Sequence, residues 1–191
     1  MGLDIKVDFF KKEEWISAIK FISPIPRFNH IELQGEIYIQ LKQYFGKKCN
    51  VAIEAALFLT TENPSEVKID KNKMDALVKA KKAEVAPDVA VYCDKSQIFY
   101  RGFIGIPQLV VEVLSPSNSD DDLIVKKDLY ESYGVPEYWI VSPMSKKVWI
   151  YLLVDTKYEL KKTCLLSDKF KSIRFEDLEV DLSEVELIEE E

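Results

Sequence analysis

Glu112 stands inside P-Q-L-V-V-E-V-L-S-P, an apolar run that otherwise reads as a strand buried on both faces. An unpaired carboxylate in such a strand costs several kcal/mol unless it is protonated, ion-paired or bound to a cation. A second acid, Asp88, opens the preceding apolar segment P-D-V-A-V-Y. Side chains alternate along a strand, so Glu112 shares a face with Gln108, Val110 and Leu114, while Leu109, Val111 and Val113 point the other way. If Asp88 reaches the same edge, two hard oxygen ligands, a backbone carbonyl and waters make a Mg²⁺ site, because Mg²⁺ keeps several waters and binds through one or two carboxylates. The plainer reading is that Asp88 caps its strand and Glu112 pairs with a buried base. Spacing alone leaves both open.

Lys126 bears on that choice. On a helix beginning near Ser119, positions 122, 126, 129, 130 and 133 share a stripe with Leu123, which turns Lys126 inward and Lys127 toward solvent. Inward lysines are rare unless paired or working. Beside a carboxylate and metal cluster, the ammonium could stabilise charge building on a phosphoryl group or orient an attacking water. Its structural alternative is a salt bridge to Glu112 or Asp122. His30 is the only histidine and faces inward on an earlier helix; it serves either as a satisfied core residue or as a ligand or proton shuttle.

The elements that must position these groups are legible by period. Lys11 to Phe21 is expected as a short helix, followed by the loop S-P-I-P. A longer helix runs from Asn29, as N-cap, to Phe45, with His30, Leu33, Ile37, Leu41 and Tyr44 at helical spacing and Gly46 as its stop. V-A-I-E-A-A-L-F-L reads as a strand or short buried segment, and residues 62–84, with Lys71, Lys73, Lys79, Lys81 and Lys82, as a charged insertion that is exposed and partly disordered. Those lysines could track a phosphate backbone, although a solvated surface is the commoner role. Strands at 88–93 and 107–114 follow, then S-P-S-N-S-D-D-D-L as a capping loop. A helix at 119–133 ends at Gly134 and Pro136, and E-Y-W-I-V-S-P with V-W-I-Y-L-L-V forms a hairpin, with short strands near 158–165 and 170–174. Tyr130, Tyr133, Tyr138 and Trp139 follow a core pattern. Helix, strands, helix, strands describes an α/β sandwich with a mixed central sheet.

A chain of 191 residues, 47% hydrophobic, fits a single domain spanning 1–191. Its net charge of −7 argues against a polyanionic partner until the distribution is considered. Residues 175–191 hold nine acids and no base, which leaves 24 acidic against 26 basic side chains before them. The acidic segment is expected to be a solvated, frayed tail. Cys49, Cys93 and Cys164 are far apart and odd in number, which predicts core thiols in a reducing compartment. No long apolar stretch or signal-like N-terminus is present, so a cytoplasmic protein without a membrane span is expected. Walker, dinucleotide-binding and C-x-x-C motifs are absent from the sequence, which excludes nucleotide-driven motors, Rossmann chemistry and a zinc site of that type.

Four separated motifs then agree with one family. A-P-D-V-A-V, G-I-P-Q-L-V-V-E-V-L-S-P-S, the D-x-x-x-K-x-x-x-Y of Asp122, Lys126 and Tyr130, and Y-G-V-P-E-Y-W-I-V closely resemble the Uma-type restriction-endonuclease family, a branch of the PD-(D/E)xK nuclease superfamily. The resemblance implies a restriction-endonuclease-like α/β core, divalent metal (Mg²⁺ or Mn²⁺), phosphodiester hydrolysis and nucleic acid, DNA first, as partner. It implies Asp88, Glu112 and the backbone carbonyl of Val113 as metal ligands and Lys126 as the catalytic lysine. The superfamily's usual lysine position is Leu114 here, so that role moves to the following helix. Gln108 and Ser142 replace the aspartates usual in P-D-L and V-D-P, and Gln108 is expected to touch the surroundings of the site. The superfamily often adds an acid from the first core helix, for which Glu36 is the candidate; His30 matches a histidine in the family's S-P…H stretch. Duplex cleavage usually needs two active sites, so a homodimer is expected. The competing expectation is a catalytically inactive relative, a nucleic-acid or protein-binding module in which the same ions only hold the fold.

Overall fold

The computed structural model describes residues 12–16, 19–23, 27–80, 83–115 and 120–189. In chain order the elements are β1 (Lys12–Ile16), β2 (Ile19–Ser23), α1 (Phe28–Phe45), β3 (Asn50–Ile53), β4 (Leu57–Phe58), α2 (Pro64–Ile69), α3 (Lys71–Ala80), β5 (Ala83–Val85), β6 (Val89–Tyr92), β7 (Ile98–Phe99), β8 (Gly102–Ile104), β9 (Leu109–Val113), α4 (Asp120–Tyr133), β10 (Glu137–Ser142), β11 (Lys147–Val154), β12 (Lys157–Leu165), β13 (Phe170–Lys171) and β14 (Glu179–Val180). Residues 24–26, the capping loop at 116–119, Lys81 and Lys82 lie outside the described residues, as does the side chain of Asp122.

The central sheet has the order β12-β11-β10-β9-β6-β3. β3, β6 and β9 run antiparallel, and α4 crosses over so that β10 lies parallel to β9. β9 is therefore interior, and its alternate residues serve two cores. Leu109, Val111 and Val113 pack with Leu33, Ile37 and Leu41 of α1. Val110 packs with Leu129 and Tyr130 of α4 and Tyr138 of β10. Burial on both faces explains why the sequence there is almost uninterrupted in its apolarity. A second sheet, β2-β1-β5-β4-β8-β7, lies beside the second core, to which it contributes Ile16, Leu57 and Val85. The hairpin of β10 and β11 and the helix ending at Gly134 fall where the pattern predicts.

Five expectations are corrected. Residues 12–16 and 19–23 form an antiparallel hairpin and not a helix, with Trp15 and Ile16 also paired to β5. Pairing with a neighbouring strand overrides the short helical stripe. Asn29 is not the N-cap of α1, which is Arg27; its side chain instead donates to the Ile188 carbonyl at 2.8 Å and accepts from the Ile188 amide at 2.9 Å. The acidic tail is accordingly no frayed appendage through Glu189: Leu178, Val180 and Leu182 are buried against the α1 core, because apolar residues alternate with the acids. The charged insertion folds as α2 and α3 over a small core of Phe58, Val67 and Ile104, with Met74, Leu77 and Val78 packed against it. Of its lysines, Lys73 pairs with Glu62 at 2.9 Å while Lys71 and Lys79 stay exposed. Finally, Cys49 and Cys93, 44 residues apart, form a disulfide, leaving Cys164 as a buried thiol. Each cysteine abuts one end of the β3–β6 pair, where the register Asn50↔Tyr92 brings them together.

Candidate active site

β6 begins beside β9, and the pairing Val89↔Val111 sets Asp88 next to the Glu112–Val113 step. Asp88 Oδ2 accepts from the Val113 amide at 2.7 Å, a side-chain bond continuing the ladder where the strand starts. Its Oδ1 lies 3.5 Å from Nε2 of His30, in the first turn of α1. Glu112 points to the α4 side of the sheet. There Tyr130 donates to its Oε1 at 2.8 Å, and Nζ of Lys126 stands 3.3 Å from its Oε2. Lys126 and Tyr130, one turn apart on α4, thus grip the two oxygens of one carboxylate. Burial raises the Tyr130 hydroxyl pKa well above its ordinary value, and the Glu112 and Glu14 charges raise it further, so it remains a donor.

Glu14 is the partner that sequence reading missed. It sits on β1 with no exposure, 2.8 Å from Nζ of Lys126, and its other oxygen accepts from the Ala86 amide at 2.8 Å. The helix expected at residues 11–21 hid it; on a strand, Glu14 alternates with Trp15 and reaches the second core. Among the described residues, three carboxylates in this region are buried, Glu14 (0% exposed), Asp88 (5%) and Glu112 (3%), against the single buried ammonium of Lys126 (4%). Buried carboxylates are stable only with donors, a cation or a proton beside them. The Tyr138 hydroxyl, also buried, has no hydrogen-bond partner among the described residues. Burial first, then the charge of Glu112, with Tyr158, Asp88 and Tyr151 following, pushes its pKa well up.

Glu36 is not brought to this region. His30 and Gln34 lie one turn apart on the face of α1 toward Asp88, and Gln34 Nε2 donates to the Asp88 carbonyl at 3.1 Å. Glu36 is rotated by about 200° from Gln34, where it accepts from Gln40, itself bonded to the Asp181 backbone. Glu54 does arrive, unforeseen. It follows β3, and donor atoms of His30, Glu54 and Asp88 lie within 4.8 Å of one another. The signal was a lone acid breaking V-A-I-E-A-A-L, as Glu112 breaks L-V-V-E-V.

Residues 18–183 match the model of the Uma2 family, described as putative restriction endonucleases. The chain belongs to the Uma2 family. A similar solved structure is that of a protein from Anabaena variabilis described as a putative nuclease. It is 16% identical, with a TM-score of 0.65 over 91% of this chain and 88% of that one. No curated protein matches. The fold is thus the restriction-endonuclease-like α/β core, and membership of Uma2 supports a nuclease. No described helix is long and apolar enough to cross a membrane. Gln108 accepts from Arg174 at 3.3 Å and Ser142 Oγ accepts from the Ser145 amide at 3.1 Å. The second bond closes the β10–β11 turn through a side-chain hydroxyl. Not every buried acid belongs to the site: Glu137 accepts from Trp139 Nε1, Ser172 Oγ and the amides of Ile173 and Arg174, which ties residues 172–174 to β10.

Proposed function

We propose that this protein is a divalent-metal-dependent endonuclease hydrolysing phosphodiester bonds, with DNA as substrate. The observation that carries the reading is the placing of Asp88 beside the Glu112–Val113 step, with the ammonium of Lys126 against Glu112. Carboxylate oxygens with a nearby carbonyl are a donor set suited to Mg²⁺ or Mn²⁺, and the unpartnered Tyr138 hydroxyl is consistent with a further polar group in this region. Asp88, Glu112 and the Val113 carbonyl would hold the ion. When bound, it would draw charge from the scissile phosphate and acidify a water molecule.

The side chains have distinct tasks in this reading. Tyr130 fixes the Glu112 rotamer through Oε1. The Val113 amide aims Asp88 by taking Oδ2. Lys126, steadied from behind by Glu14, presents its ammonium beside Glu112, where it stabilises negative charge as the phosphoryl group is attacked. Its position on α4 compensates for the uncharged Leu114. The same proposal makes the enzyme a homodimer with one site per strand of duplex, which light scattering checks.

Calorimetric titration with Mg²⁺ and Mn²⁺ tests the foundation. Wild type is expected to bind, and a combined Asp88→Ala, Glu112→Ala variant to lose that binding; equal affinity in both proteins removes the reading.

A further inference from the structure

The end of β3 is built toward Asp88 in a way that the Asp88–Glu112 pair does not require. Glu54 has φ 45°, a left-handed backbone conformation unusual outside glycine. Its amide points at the carbonyls of Pro87 and Asp88, 3.1 and 3.3 Å away. Gln34 links the same two residues, its Nε2 lying 3.2 Å from Glu54 Oε1 and 3.1 Å from the Asp88 carbonyl. These contacts bring an exposed carboxylate to a buried one, with His30 on the third side. Among the described residues, no lysine or arginine pairs with Glu54, whose carboxylate accepts from Gln34. Backbone strain of this kind is kept where the surroundings over-determine it, commonly at ligand sites.

We infer that Glu54 and His30 act with Asp88 as ligands of a divalent cation, and that the imidazole makes the site prefer first-row transition ions over Mg²⁺. The inference rests on the metal-dependent reading above and deepens it by naming the class of ion. Mg²⁺ takes oxygen ligands and sheds water reluctantly. Imidazole nitrogen suits later first-row ions such as Ni²⁺ or Zn²⁺ best, and for a given site affinity rises from Mn²⁺ to Co²⁺, so Mn²⁺ gains over Mg²⁺ when His30 is a ligand. Glu54 is the solvent-facing member of the three. The disulfide at the other end of the β3–β6 pair holds β3 in register with β6, and so keeps Glu54 opposite Asp88.

The test uses Mn²⁺ and Mg²⁺ themselves on the full chain. Mn²⁺ binding is followed by its electron paramagnetic resonance signal, with Mg²⁺ as competitor, for wild type, Glu54→Gln, His30→Gln and Glu112→Gln. Wild type is expected to bind Mn²⁺ at least about tenfold more tightly than Mg²⁺. Glu54→Gln, isosteric and able to keep its contact with Gln34, should weaken Mn²⁺ about tenfold or more. His30→Gln should bring the two ions to within about threefold of each other. Thermal melting of each variant identifies any that fail to fold, and for those Glu54→Ser and His30→Asn replace them. Wild-type discrimination surviving in both the Glu54 and His30 variants, with Glu112→Gln alone losing the ion, overturns this inference and leaves the Asp88–Glu112 metal reading standing. Absence of Mn²⁺ and Mg²⁺ binding in wild type overturns both.

Discussion

Glu112→Gln is expected to leave the fold standing and to lower the rate of DNA cleavage by about 10²–10³-fold, the loss typical when one electrostatic partner of a transition state is removed. The amide keeps an oxygen for the Tyr130 hydroxyl, so the 2.8 Å bond survives. Lys126 still has Glu14 at 2.8 Å and is not stranded. What disappears is one negative charge facing the cation. Melting and single-turnover cleavage measured in parallel decide the matter. A variant that melts lower yet shows no change in any nucleic-acid readout would favour the binding-module alternative, in which these ions only hold the fold.

Removal of Lys126 should be the most destabilising single change at the site. Lys126→Met keeps most of the apolar stem but leaves Glu14 and Glu112 buried without their shared cation. Breaking a buried pair from one side costs about 3–5 kcal/mol. Urea unfolding should show that loss, and adding Glu14→Gln to Lys126→Met should recover part of it, because the second change removes one of the stranded charges. A cost below about 1 kcal/mol would mean that the carboxylates are not held by this ammonium.

Legibility differed from residue to residue for physical reasons. Lys126 was visible because a charged residue on an apolar helical stripe breaks a period of 3.6. Glu112 was visible because it breaks a run buried on both faces. Glu14 was not, since K-K-E-E-W-I has no unambiguous period and its strand exists only through pairing with β2 and β5. Glu54 carried the same signal as Glu112 in weaker form, at the end of a strand of four residues. Glu36 failed as a candidate because helical phase, read from the apolar stripe, does not say which flank faces the strand edge; Gln34 occupies that place. Cys49 and Cys93 failed because spacing along the chain carries no information about strand register.

By itself the sequence determined the family, the alternation of elements from α1 to the β10–β11 hairpin, and the identity of Asp88, Glu112 and Lys126 as charged residues in apolar contexts, because those properties reside in local period and motif. Tertiary structure alone decided who meets whom: Lys126 is shared between Glu14 and Glu112, Asp88 lies between the Val113 amide and His30, and Glu54 is turned back on Asp88. Partners of that kind are set by strand register and helix crossover, which bring together groups tens of residues apart, and no local pattern encodes them.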